Sequence, residues 1–203
     1  MFTNLKIPIL ADSCNSWVRI IMNSRLKHLL KEYAELERGV QELVSAQCRE
    51  VCELCTICCC RADLCEEALG SPFLSLLHQQ TELESDAYGF LTETGCALEI
   101  GRPPVCYEFF CSDLLAAQPD ALHRRMLCIL GQLPNHAGQN AHGKTHLVEI
   151  MNEEELEHLA FQRLEDQLSE SFQALEVLRM FFNEKTLPDH ADRVLHRIPL
   201  PEN

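Results

Sequence analysis

The stretch CREVCELCTICCCRADLC, residues 48–65, holds seven of the chain's twelve cysteines. Thiols at that density have three chemical uses: small apolar side chains on a buried face, disulfides, or metal ligands. On a helix, Cys48, Cys52, Cys55 and Cys59 share one narrow stripe, which suits burial. Burial leaves Cys58, Cys59 and Cys60 unexplained, because three consecutive residues splay around any helix and Ala, Val or Leu would pack as well. Adjacent cysteines rarely meet disulfide geometry. A redox sensor, one low-pKa thiolate with a resolving partner, stands as an alternative. Metal ligation accounts for the spacing best. Cys52-x2-Cys55-x2-Cys58 offers thiolates at the interval with which a loop wraps an iron–sulfur cluster. A single zinc also uses C-x2-C pairs but needs only four ligands, fewer than the run supplies.

A second thiol group follows in TGCALEIGRPPVCYEFFC, residues 94–111. Cys96 and Cys106 flank a Gly-Arg-Pro-Pro turn stiffened by Pro103 and Pro104, and Cys111 follows. Arg102 is placed to hydrogen-bond cluster sulfides or a nearby carboxylate. Two weaker patterns compete. Cys48-x3-Cys52-x2-Cys55 matches the spacing of radical S-adenosylmethionine enzymes, but an amphipathic helix precedes it and no alternating βα series follows. His136, His142 and His146 lie in or beside a polar stretch and are secondary metal candidates. Dinucleotide, P-loop, H-E-x-x-H and G-x-S-x-G motifs are absent.

The order Cys52-x2-Cys55-x2-Cys58-Cys59, then Cys96-x9-Cys106 enclosing Arg102-Pro103, then Tyr107-Glu108-Phe109, resembles the CxxCxxCC, or YkgJ-like, family of zinc- or iron-chelating cysteine-cluster proteins. A similar cluster in flagellin lysine N-methylases is associated with an iron–sulfur centre. The resemblance covers roughly residues 48–111 and leaves out both flanking helices. It implies Cys52, Cys55, Cys58, Cys59, Cys96 and Cys106 as metal ligands. The chain departs from the pattern at Thr56-Ile57, where the family has a glycine, and in lacking any cysteine between Cys65 and Cys96. Cys65 and Cys111 are the substitutes for that missing thiol, with Cys48 and Cys60 as spares, so the ligand set beyond the six stays open.

Those thiols need elements to hold them. Leu26, Leu29, Leu30, Tyr33, Leu36, Val40, Leu43 and Val44 recur at helical spacing, predicting one long helix over 17–50 that packs within the domain. Gly70-Ser71-Pro72 predicts a boundary and a new helix start. Residues 84–104 are turn-rich, and 105–132 predict two short helices separated near Pro119. LPNHAGQNAHGK, residues 133–144, reads as a polar loop, and 146–150 as a short strand. Asn152 with Glu155 predicts a capped start for a last long helix running to about Asn183, with Met180-Phe181-Phe182 as core or partner contact.

The net charge of −14 is uneven: 7 basic and 6 acidic side chains in residues 1–50, 10 and 25 in the remainder. Such a body repels polyanions, which excludes nucleic acid as a partner. No run approaches the length needed to span a bilayer, and the first residues make a poor signal peptide. The expected location is therefore cytoplasmic, where disulfides are seldom maintained.

The expected fold is mainly α, with cysteine-rich loops bound to a metal site between long N- and C-terminal helices and at most a short β element. Its parts are a helical segment 1–47, a cysteine-cluster region 48–132, and a loop with the C-terminal helix, 133–203, in one compact domain. The expected function is metal binding through an iron–sulfur cluster, 4Fe-4S favoured, or through zinc, as a structural or electron-transfer module. A protein partner through the long amphipathic helices is expected, with no membrane. Alternatives are a cluster-assisted modification enzyme, methyltransferase-like or radical S-adenosylmethionine-like, and a thiol redox sensor.

Overall fold

The computed structural model describes residues 24–55, 62–78, 89–92 and 95–201. The helices in chain order are α1 (Ser24–Cys52), α2 (Ala62–Gly70), α3 (Pro72–Leu77), α4 (Val105–Glu108), α5 (Ser112–Ala117), α6 (Ala121–Gly138), α7 (Phe161–Arg179) and α8 (Ala191–Leu195). Among the described residues the β content is one antiparallel pair, β1 (Leu91–Thr92) with β2 (Gly95–Cys96), in which Leu91 faces Cys96, and an isolated bridge between His142 and Thr145. The fold is mainly α, as expected from the periodicity.

The long helix forms because its apolar residues fall on one stripe. Leu26, Leu29, Tyr33, Leu36, Val40 and Leu43 are all buried. α1, α6 and α7 pack against one another and carry the core. Arg25 pairs with Glu165 while a Cβ at Gly39 would meet Leu175, so α1 and α7 run side by side in the same direction. α6 runs opposite to α7, since His136 meets Glu170 and His123 stacks on Phe181. The apolar stripe of α1 is thus consumed inside the molecule. Phe181 and Phe182 are buried too, in a π-helical turn (Met180–Glu184) that extends α7. The expected start of α1 at residue 17 lies outside the described residues.

Ser71 caps α3 by accepting from the Leu74 N–H, and Pro72 opens the helix, as the Gly-Ser-Pro sequence implies. Three local expectations are corrected. Residues 133–138 are not a loop: α6 continues through Pro134 to Gly138, because Leu133 and Ala137 are buried on its core face. Burying such side chains offsets the roughly 3 kcal/mol penalty of an internal proline. Residues 147–149 form a 3-10 turn, not a strand. His146 caps it by accepting from the Val148 N–H, while Glu149 accepts from the His146 N–H. Asn152 does cap a helix, but a short 3-10 one (Glu153–His158); α7 starts separately at Phe161. Among the described residues no helix is long and apolar enough to cross a membrane.

Candidate functional site

α1 ends at the thiols. Cys48 lies one turn before the end, half-buried against the core; Cys52 is the last helical residue and exposed. Cys55 follows in a turn, its N–H donating to the Cys52 carbonyl at 3.2 Å, and is exposed as well. Cys58, Cys59 and Cys60 lie outside the described residues, and Cys65 falls in α2.

A third thiol source arrives from far along the chain. Cys111 precedes α5, its Sγ accepting from the Leu114 N–H at 3.4 Å, and α5 packs on α1. Burial first, then the neighbouring Cys52 thiol and its hydrogen bond, then Cys111, push the Cys48 thiol up to about 12. Cys52 is raised by burial, with Cys111 and Cys55 adding to it, while the hydrogen bond from Cys48 works the other way. Cys48, Cys52 and Cys111 therefore lie within electrostatic reach of one another, and Cys55 within reach of Cys52. Cys128 on α6 is different: burial alone raises it.

Of the other expected ligands, Cys96 sits on β2, half-buried against the core, and Cys106 is an exposed residue of α4. The turn between them is fastened to α1 by Glu37, which is fully buried. Its carboxylate accepts from the Gly101 N–H at 2.7 Å, the Arg102 N–H at 3.0 Å and the Tyr107 hydroxyl at 2.9 Å. Gly101 has φ +73°, and a Cβ there would come within 2.3 Å of the His78 ring, whose Nε2 is 3.0 Å from the Gly101 carbonyl. Glycine is needed on both counts. The Arg102 side chain donates to the Leu98 carbonyl, and it is the backbone N–H, together with the charge, that acts on the Glu37 carboxylate. Sequence reasoning passed over Glu37. The available signal was its register, one turn after Tyr33 and on the apolar stripe, where a carboxylate must find buried donors.

The three histidines have structural work. His136 Nε2 lies 3.0 Å from Glu170. His146 accepts at Nδ1 from the Val148 N–H, so its Nε2–H donates to the Asn135 carbonyl; burial lowers its pKa and keeps it neutral. His142 pairs with Glu155. A polar cleft of about 440 Å³ opens beside α4, with Glu67, Glu108, Glu149, Lys144 and Val105 in its wall.

Among the described residues no three His, Cys, Asp or Glu side chains are already arranged to hold a metal ion. The donor chemistry at the end of α1 is all sulfur, which suits zinc or an iron–sulfur cluster and not a hard cation. No family model matches the chain, and no curated protein or solved structure matches it either. The likeness to the CxxCxxCC family rests on the motifs themselves.

Proposed function

We propose that the chain is a thiolate metal-binding protein that holds an iron–sulfur cluster, with zinc as the second choice, as a structural or electron-transfer module. The observation that carries the reading is the density of thiols where α1 ends: Cys48, Cys52 and Cys55 share one short segment, and Cys111, distant in sequence, opens α5, which packs on α1. Cys58 and Cys59 would add to this set, and Cys96 and Cys106 enter it on the family likeness. The thiol-sensor alternative is weakened by the direction of the shifts, since a reactive sensor needs a lowered thiol pKa and both Cys48 and Cys52 are raised. One observation favours the enzyme alternative: the cleft beside α4, whose wall includes Val105, the neighbour of Cys106.

Anaerobic purification followed by metal analysis and visible spectroscopy tests the proposal. The expected result is iron with sulfide, and a broad charge-transfer absorbance that bleaches on reduction. Colourless protein with stoichiometric zinc would select the second choice. Protein that retains neither metal, and whose stability survives Cys-to-Ser changes at Cys52 and Cys55, would sink both. A spectral change on adding S-adenosylmethionine would select the enzyme over the module.

A further inference from the structure

We infer that the polar cleft beside α4 is a binding site for a small aliphatic diamine in its diammonium form. Such a site does not depend on what the thiols hold. The cleft encloses about 440 Å³, within the range of small-molecule sites, roughly 300–1,000 Å³. Four elements build its wall: α2 through Glu67, α4 through Glu108, α6 through Asn135 and the 3-10 turn through Glu149. Lys144 lines it too, so three carboxylates meet one lysine and leave two negative charges in excess. That balance rejects an anion. A single metal ion does not fit either, because among the described residues no three acidic or other ligating side chains are grouped to hold one. Carboxylates spread around a cavity match a cation whose charges are spread as well, with N–H donors at each end. Between those ends a short methylene chain meets apolar wall at Pro104, Val105 and Val148.

The cleft holds negative charge that its own residues leave uncompensated. Among the described residues no cationic side chain pairs with Glu67, Glu108 or Glu149. Burial raises both Glu67 and Glu108 above the ordinary carboxylate value, and Glu149 raises Glu67 further. Neutral amides hold Glu108 instead: Gln132 and Asn135 hydrogen-bond to it, and the buried Gln132 accepts from Asn135 Nδ2 at 3.3 Å. These amides aim the carboxylate without cancelling its charge. The walls are also fixed before any ligand arrives, which lowers the entropic cost of binding. Tyr107, next to Glu108, is tied to Glu37, and His146 both caps the turn that carries Glu149 and donates to the Asn135 carbonyl.

The test is calorimetric titration of the full chain with putrescine, near neutral pH and at low salt. The expected result is saturable binding of one diamine per chain, weakened about tenfold or more in Glu67→Gln and in Glu108→Gln. Glu42→Gln removes the same charge from an exposed position of α1 outside the cleft and should leave binding unchanged. n-Butylamine has the same chain with one ammonium group and should bind about tenfold more weakly or worse. Absence of saturable binding overturns the inference, and equal affinity for the monoamine does so too. Equal weakening by Glu42→Gln would show only diffuse attraction to the net charge of −14, which also overturns it. Should Glu108→Gln lose its helical circular dichroism, Glu67→Gln, on a different element, decides. None of these outcomes touches the metal-binding reading, which stands or falls on its own test.

Discussion

Burial raises Glu37 to about 6 even though hydrogen bonds from Gly101, Tyr107 and Arg102, and the charge of Arg102, pull the other way. The folded pKa therefore lies above the ordinary value of 4.5. For an acid shifted up, stability is fully present below the unfolded pKa and is lost as pH rises through the folded one. The window runs from 4.5 to about 6, and the loss is about 2 kcal/mol. Glu37→Gln cannot ionise, so the difference in urea stability between the two proteins should shift by about that amount across the window, against the native chain as pH rises. A difference that stays flat would show that Glu37 does not titrate there. The thiol runs were legible in the sequence because spacing alone marks them. Glu37 was passed over because a helical stripe was read for its apolar members, and a carboxylate on that stripe declares its role only when its donors, more than sixty residues on, are in place.

At the level of elements, periodicity located α1 and the Gly-Ser-Pro punctuation located α3, because each signal is local. The stretch around Pro134 misled because proline and glycine read as loop residues, whereas burial of Leu133 and Ala137 keeps the helix going. The same helix lets α4 approach closely. A Cβ at Gly131 would lie 2.4 Å from the Tyr107 carbonyl oxygen, a backbone atom with no rotamer to yield, and 2.9 Å from the Phe110 ring. Ala is the better helix former by about 1 kcal/mol, yet the clash should cost about 1–3 kcal/mol or more. Gly131→Ala should therefore lower Tm by several degrees, at about 2–4 °C per kcal/mol for a chain of this size. A raised Tm in a thermal melt would mean that α4 moves aside freely. The displaced helix is the one that carries Cys106 and the Tyr107 contact to Glu37.

For the molecule as a whole, the core formed by α1, α6 and α7 sets what metal loss can do. Small zinc domains unfold without metal because thiolate ligation supplies their folding energy, on the order of 10 kcal/mol. Here the core residues of α1, Leu26 to Leu43, all precede the thiols, and they pack with α6 and α7 without any ligand. Treatment of the metal-loaded chain with a chelator should lower Tm while leaving far-ultraviolet circular dichroism near its starting value. Collapse of the helical signal on chelation would show instead that the thiol site holds the fold together. The apolar face of α1 is already occupied, so a protein partner would have to use other surfaces, and exposed Leu54 and Phe109 stand beside the thiols.

The Glu37 clasp also bears on how such a site would hold its metal over time. Between Cys52 and Cys111 the chain makes an excursion of about sixty residues, and closing a loop of that length in an unstructured chain costs about 4 kcal/mol of entropy. Fastening the Gly-Arg-Pro turn to the middle of α1 closes the loop before any ligand binds. Each thiolate then meets its neighbours at a high effective concentration. In a chain that binds metal as proposed, a metal released by one sulfur would be recaptured before it diffused away, so exchange with competing chelators should be slow relative to the affinity of any single thiol.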